Sequence, residues 1–311
     1  MTGTPERQGR VGIVTAVRPK EIILRAGTES FHTQVPGRLK KGRRETTTPI
    51  VVGDRAEFAL EGDDVKIVHL VPRTNEIARV DSVRPPRKHV LAANVDQVVC
   101  VVAAQAPPLN PRVLDRLLLL GEGAGVAGAI CLNKMDLAPG EDPALLRAYE
   151  GLGYPVFRTS ARTGSGLEAF TQALGGRISL FVGHSGVGKS SLLNELIPGS
   201  DLRTGLLSRA SGRGVHTTTR VDWIDLPGGG VVLDTPGLRH IRSWGLTPSN
   251  LAGCFPEFRD RADRCQFRDC LHREEPGCAV IAGMKDAGED YAARYDSYRR
   301  ILDSVEREEL W

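Results

Sequence analysis

Gly183-His184-Ser185-Gly186-Val187-Gly188-Lys189-Ser190 lies between the apolar run Ile178-Ser179-Leu180-Phe181-Val182 and the leucine-bearing run Ser191-Leu192-Leu193-Asn194-Glu195-Leu196. It fits the pattern G-x-x-x-x-G-K-[ST], and a strand before with a helix after is the context the pattern requires. Glycines let backbone amides turn inward around phosphates, since no Cβ blocks the tight path. The helix N-terminus that follows adds partial positive charge. Lys189 is expected to bridge the outer phosphates and the Ser190 hydroxyl to ligate magnesium. His184, Ser185, Val187 and Ser191 complete the expected nucleotide-contacting set. A glycine-rich turn that matched by chance would not carry both flanks.

Upstream of this loop, the apolar runs Asp96–Ala104, Ala127–Asn133, 155–161 and 177–183 alternate with helical segments. Such alternation predicts a doubly wound α/β domain with a mostly parallel sheet. Asn133-Lys134-Met135-Asp136 stands where the second of these strands ends, and Thr159-Ser160-Ala161 ends the third. In N-K-x-D the aspartate can accept from both N1–H and the 2-amino group of guanine; adenine offers no such pair. Ser160 and Ala161 are expected to support the base. In the usual order of these motifs the phosphate loop comes first, whereas here it comes last. A circular permutation accounts for this, because the termini of a domain often lie close together and can be rejoined elsewhere.

Downstream, the polar, Gly-rich stretch 204–219 reads as a segment that γ-phosphate and magnesium can order. One of Thr217, Thr218 and Thr219 is expected to complete the magnesium shell, with Thr218 taken as the ligand. Asp234-Thr235-Pro236-Gly237 is a D-x-P-G motif: Asp234 is the outer-shell partner of magnesium and the Gly237 amide a γ-phosphate contact. Ras-like enzymes place a glutamine next; this chain has Leu238, which cannot hydrogen-bond a water. His216, titratable near neutrality, is the residue in reach to orient the attacking water. Lys189, Asp234 and His216 are thus the predicted catalytic set, and slow turnover accelerated by a partner is expected.

Residues 9–71 carry five short β-type runs with Gly, Pro or Asp at the joints, which suits a small OB-like barrel. Arg38, Lys40, Lys41, Arg43 and Arg44 crowd one loop of it: a solvated loop, or an arm that tracks phosphates. Residues 72–95, with Pro72, Pro85 and Pro86, read as a connector. At the other end, Cys265, Cys270, His272 and Cys278 give C-x4-C-x-H-x5-C, the donor set of a closed structural zinc site. A rival set replaces His272 by Cys254. Cys100 and Cys131 fall in core strands as small hydrophobes. The terminal helix bears Arg294, Arg299 and Arg300, either RNA contacts or a mixed-charge surface.

Composition sets limits. Hydrophobic residues make up 41% and charged residues 25%, an ordinary globular balance, and a net charge of +3 means that a nucleic-acid partner must be met by a local patch. No apolar run reaches membrane-spanning length, the start lacks the pattern of a secretory signal, and cysteine usage fits a reducing compartment, so cytoplasm is the default.

The permuted series NKMD–TSA–GHSGVGKSS–HTTT–DTPG, the Cys265/Cys270/His272/Cys278 pattern and the barrel segment Pro49-Ile50-Val51-Val52-Gly53-Asp54 together resemble the ribosome small-subunit-dependent GTPase A family over about residues 10 to 305. Valine at position 215 departs from the basic residue that family members place before the switch histidine. The resemblance implies an OB-fold RNA-binding domain (1–75), a permuted GTPase domain (76–245) and a zinc-binding, helical C-terminal domain (246–311). It also implies a late assembly factor of the small (30S) ribosomal subunit. Such a factor binds 16S rRNA as a monomer and hydrolyses GTP to GDP and phosphate under stimulation by the subunit, with Mg2+ and one Zn2+. Two other readings compete: an RNA-binding module with a decayed nucleotide site, and a GTPase acting on another RNA or on a protein.

Overall fold

The structure is a computed structural model, described over residues 9–35, 49–62, 64–81, 86–140, 144–197, 199, 221–235, 242–286 and 288–308. The basic loop 38–44, His216, Thr217, Thr218, Thr219, Gly237 and Leu238 lie outside the described residues.

Strands β1 (Arg10–Arg18), β2 (Glu21–Ala26), β3 (Glu29–Thr33), β4 (Arg55–Glu61) and β5 (Asp64–Leu70) form one antiparallel sheet in the order β3-β2-β1-β4-β5. Alternation along them buries Val14, Ile22, Leu24, Phe58 and Ile67 on one side, as period-two patterning requires. The sheet curls until its outer strands meet: the Thr33 hydroxyl donates to the Val65 carbonyl at 2.6 Å. The result is the five-stranded barrel expected, with OB-like strand order.

The connector is not a passive tether. Residues Glu76–Val80 (β6) and Lys88–Ala93 (β7) pair as an antiparallel hairpin. The barrel's Val51-Val52-Gly53-Asp54 turn is fastened to it. Ala93 N–H donates to the Val52 carbonyl at 3.1 Å, and the Asn94 amide to the Gly53 carbonyl at 2.8 Å. Gly53 has φ +90°, and a Cβ there would lie 2.0 Å from the Ala93 carbonyl oxygen. Only glycine fits. Buried Asp54 accepts from Arg73 at 2.7 and 2.9 Å, Arg73 also reaches Glu76 at 2.6 Å, and Lys88 pairs with Glu76.

Strands β8 (Gln97–Ala103), β9 (Ala127–Asn133), β10 (Val156–Arg158), β11 (Ile178–Val182), β12 (Asp222–Asp225) and β13 (Val231–Asp234) make a sheet in the order β10-β9-β8-β11-β13-β12. All neighbours are parallel except β12 and β13. Alternate residues of β8 feed opposite cores. Val98, Cys100 and Val102 pack with helices α1 (Pro111–Glu122) and α2 (Ala144–Gly151). Val99 and Val101 pack with α3 (Leu167–Leu174) and α4 (Lys189–Leu196). Burial on both faces explains why β8 reads as an unbroken apolar run. Arg25 of the barrel meets the edge strand β12, pairing with Asp225 at 2.6 Å and lying over the Trp223 ring at 5.2 Å.

Helices α5 (Pro256–Ala262), α6 (Ala279–Asp286) and α7 (Gly288–Glu306) enclose an aromatic core of Phe255, Phe258, Tyr291, Tyr295 and Tyr298. Arg294 does not face outward, as an RNA contact would need. It is buried, and pairs with Asp115 of α1 and with Glu257 of α5 at 2.7 Å, while Tyr149 of α2 donates to Asp115 at 2.6 Å. Burial alone would weaken the guanidinium's hold on its proton, but the two carboxylates more than offset that. Arg294→Met should strand these carboxylates and destabilise the protein by about 3–5 kcal/mol, measured by urea denaturation. A stability within error of the parent would show that the network contributes nothing. Among the described residues, no helix is long and apolar enough to cross a membrane.

Candidate nucleotide site and metal cluster

Parallel strands deliver their following loops to one edge of the sheet, so β8, β9, β10, β11 and β13 all end on the same side. From the adjacent central strands β8 and β11 the chain winds outward in opposite directions. That switch point is where open α/β sheets gather ligands. The phosphate loop leaves β11 there, with NKMD, TSA and Asp234 at the ends of β9, β10 and β13.

Hydrogen bonds join these segments directly. The Asn133 amide donates to the Val187 carbonyl at 3.0 Å, and its Oδ1 accepts from Ala161 N–H at 3.2 Å. Met135 N–H donates to the Thr159 carbonyl at 3.1 Å. Asn133 is therefore a brace between phosphate loop and base loop. Gly188, at φ +94°, passes so close that a Cβ would lie 2.3 Å from Asn133 Nδ2. Lys134 takes a left-handed conformation, φ 63°, and its ammonium donates to the Ala106 carbonyl.

Lys189 opens α4 and is 8% exposed; its Nζ donates to the Gly183 carbonyl at 2.6 Å and the His184 carbonyl at 3.3 Å. Burial lowers its pKa, and Asp234 pulls the other way. The Asp234 carboxyl is pushed up to about 6 by burial, against the pull of Lys189 and with Asp222 opposite it adding to the rise. Asp234 Oδ1 is buried without a hydrogen-bond partner among the described residues. An orphaned carboxylate oxygen beside a phosphate loop suits a site that a cation completes. Ser190 sits in the first turn of α4, half-buried.

Asp136 follows Lys134 in a 3₁₀ turn. Its Oδ1 accepts from the Ser160 hydroxyl at 2.6 Å, which holds the carboxyl below the usual carboxylate range, and its Oδ2 pairs with Arg162 Nε at 3.0 Å. Arg162 was not foreseen. The visible signal was a cation directly after Thr159-Ser160-Ala161. Asp222 was also missed, because β12 is only four residues long.

About the other core, the donor atoms of Cys265, Cys270, His272 and Cys278 lie within 4.8 Å of one another. Cys265 Sγ to His272 Nδ1 is 3.5 Å, His272 Nδ1 to Cys278 Sγ 3.4 Å, and Cys265 Sγ to Cys278 Sγ 3.9 Å. Bonds of zinc to sulfur and nitrogen imply tetrahedron edges of about 3.5–3.8 Å, so this donor set fits zinc. Tyr295 and Tyr298 donate to the His272 and Leu271 carbonyls at 2.5 and 2.9 Å and fix the ligand loop. Cys254 Sγ is instead turned to the Asn250 carbonyl at 3.7 Å, and it is His272 that lies with the other three donors.

A P-loop cradle and an NKxD turn on one parallel sheet, with the base motifs first in the chain, define a circularly permuted GTPase. Residues 70–244 match the RsgA GTPase family, and the chain belongs to it. The Small ribosomal subunit biogenesis GTPase RsgA of Gemmatimonas aurantiaca is 42% identical over 281 residues, covering 89% of this chain and 91% of that protein. Its namesake from Pseudomonas fluorescens SBW25 is 41% identical over 283 residues, covering 89% and 81%. Among solved structures, YloQ, described as a circularly permuted GTPase, superposes with a TM-score of 0.73 at 27% identity, covering 99% of each chain. YjeQ from Thermotoga maritima gives 0.72 at 30% identity, covering 96% of this chain and 98% of that one. The protein is a hydrolase acting on GTP.

Proposed function

We propose that this GTPase acts in the cytoplasm as a late assembly factor of the small ribosomal subunit, gripping 16S rRNA as a monomer in its GTP state and leaving after hydrolysis. The barrel (1–75) and the zinc-binding domain (246–311) grip the RNA, and the domain between them (76–245) times the release. Relatives over two-fifths identical along nearly nine-tenths of the chain are named for small ribosomal subunit biogenesis. The single observation that carries the chemistry is the convergence of Lys189, Asp234 and the braced Asn133–Asp136 turn at one edge of the sheet.

In this reading Gly183–Ser191 holds the phosphates, and Lys189 neutralises charge on the outer ones. Ser190 and Asp234, with Thr218 or a neighbour from Thr217 to Thr219, hold magnesium, which when bound supplies Lewis-acid polarisation of the phosphoryl group. Gly237 N–H contacts the γ-phosphate. His216 orients the attacking water, since Leu238 has no group to do so. Asp136 accepts the guanine donors, with Ser160 and Ala161 behind it. Cys265, Cys270, His272 and Cys278 hold one structural zinc.

The test is GTP hydrolysis with and without purified small subunits, together with nucleotide-dependent cosedimentation. Stimulation and GTP-favoured binding are the expected results. Turnover indifferent to subunits would sink the ribosomal reading, and no turnover at all would leave a bare RNA-binding module. Asp136→Asn should weaken GDP binding roughly 10–100-fold and favour xanthine nucleotides, whose 2-oxo group can accept from the new amide. Competition between the two nucleotides checks this, and an unchanged guanine preference would remove Asp136 from the base site.

A further inference from the structure

Both carboxylate oxygens of Asp136 are engaged within the protein. Its carboxylate is 9% exposed, with Oδ1 held by the Ser160 hydroxyl at 2.6 Å and Oδ2 by Arg162 Nε at 3.0 Å. Ser160 uses one lone pair of Oδ1 and leaves another for a base donor. The contact on Oδ2 is of another kind, an ion pair made through Nε of a planar guanidinium. The Arg162 side chain is itself 76% exposed. Its backbone, in contrast, is fixed in a closed turn. Ser160 N–H donates to the Ser165 carbonyl at 2.9 Å, Gly164 N–H to the Ser160 carbonyl at 2.9 Å, and Thr163 N–H to Ser160 Oγ at 3.2 Å. The side chain can therefore swing on a rigid root.

We propose that Arg162 competes with guanine for the Asp136 carboxylate and thereby speeds release of the GDP product. This rests on the reading of Asp136 as guanine's acceptor. Guanine brings two donors, N1–H and the 2-amino group, and needs both oxygens. Arg162 must leave Oδ2 as the base enters, and its return to Oδ2 helps drive the base out. Hypoxanthine has N1–H alone, makes one bond, and leaves the Arg162 contact in place. Arg162 is thus a specificity and exchange residue that acts on guanine and spares a one-donor base.

The experiment is stopped-flow dissociation of fluorescent GDP and IDP from the full-length protein, as parent, Arg162→Ala and Arg162→Lys. Arg162→Ala should slow GDP release about two- to fivefold, the range that an exposed ion pair spans, and leave IDP release unchanged. Arg162→Lys, which keeps the charge, should restore most of the parent rate. Added salt should narrow the gap between parent and Ala variant, because it screens a pair whose cation is exposed. Faster GDP release from the Ala variant, equal changes for GDP and IDP, or no change in either would overturn the proposal. A parent protein that binds ADP as tightly as GDP would remove the underlying reading of Asp136 instead, which the dissociation rates alone would not do.

Discussion

Lys189→Ala is expected to lower GTP turnover by at least about 10²–10³-fold, the cost of removing one preorganised charge from a reacting centre. The reason lies in where the ammonium stands. It is almost fully buried, and its Nζ donates to the carbonyls of its own loop, Gly183 and His184. Burial already strains its charge, with Asp234 as the compensating group. In the proposed site, phosphates would exchange those neutral acceptors for full negative charge, where poor solvation makes the attraction strong. The glycines that shape the loop are untouched by the substitution, so the variant should fold with the parent's circular dichroism spectrum. Phosphate release under saturating GTP is the measurement. Turnover that survives would place the chemistry elsewhere in the molecule.

Removing the metal should have the second large effect, and at a different place. A structural zinc contributes about 10–16 kcal/mol of apparent binding free energy at neutral pH. Here it would hold the segment between Cys265 and Cys278, which has little apolar mass of its own. A chelator should extract one zinc per chain and lower helical signal. It should also change tyrosine fluorescence, since Tyr295 and Tyr298 are bonded to the ligand loop. Bound GDP should stay, because among the described residues no hydrogen bond or ion pair joins the cluster ligands to the phosphate loop or the NKMD turn. A metal-free protein with unchanged spectra would refute the zinc assignment; loss of nucleotide in step with zinc would show the two sites to be coupled.

Most of the architecture was legible in the residues, for identifiable reasons. Period-two patterning exposed all five barrel strands, and the unbroken run at β8 announced a strand covered on both faces. Prolines misled at residues 72–95, where the β6–β7 hairpin is held by hydrogen bonds to the barrel turn. Strand β12 escaped because four residues carry no readable period and its ladder partner supplies the pairing. The terminal helix left the fate of Arg294 open, since nothing local marks Asp115, 179 positions away, as its partner.

By itself the sequence determined which chemistries are present. The spacing of Gly183, Gly188, Lys189 and Ser190 on a strand–loop–helix, the NKMD turn and the Cys3His series are local patterns, set by the backbone path and donor types that each site needs. Only the tertiary structure decided which groups meet. It joined Asn133 to the phosphate loop, gathered His272 rather than Cys254 with the other three donors, buried Arg294, and placed Arg162 against the Asp136 carboxylate. Such pairings depend on where sheet order and helix packing carry residues far apart in the chain, and no short window of sequence contains that distance.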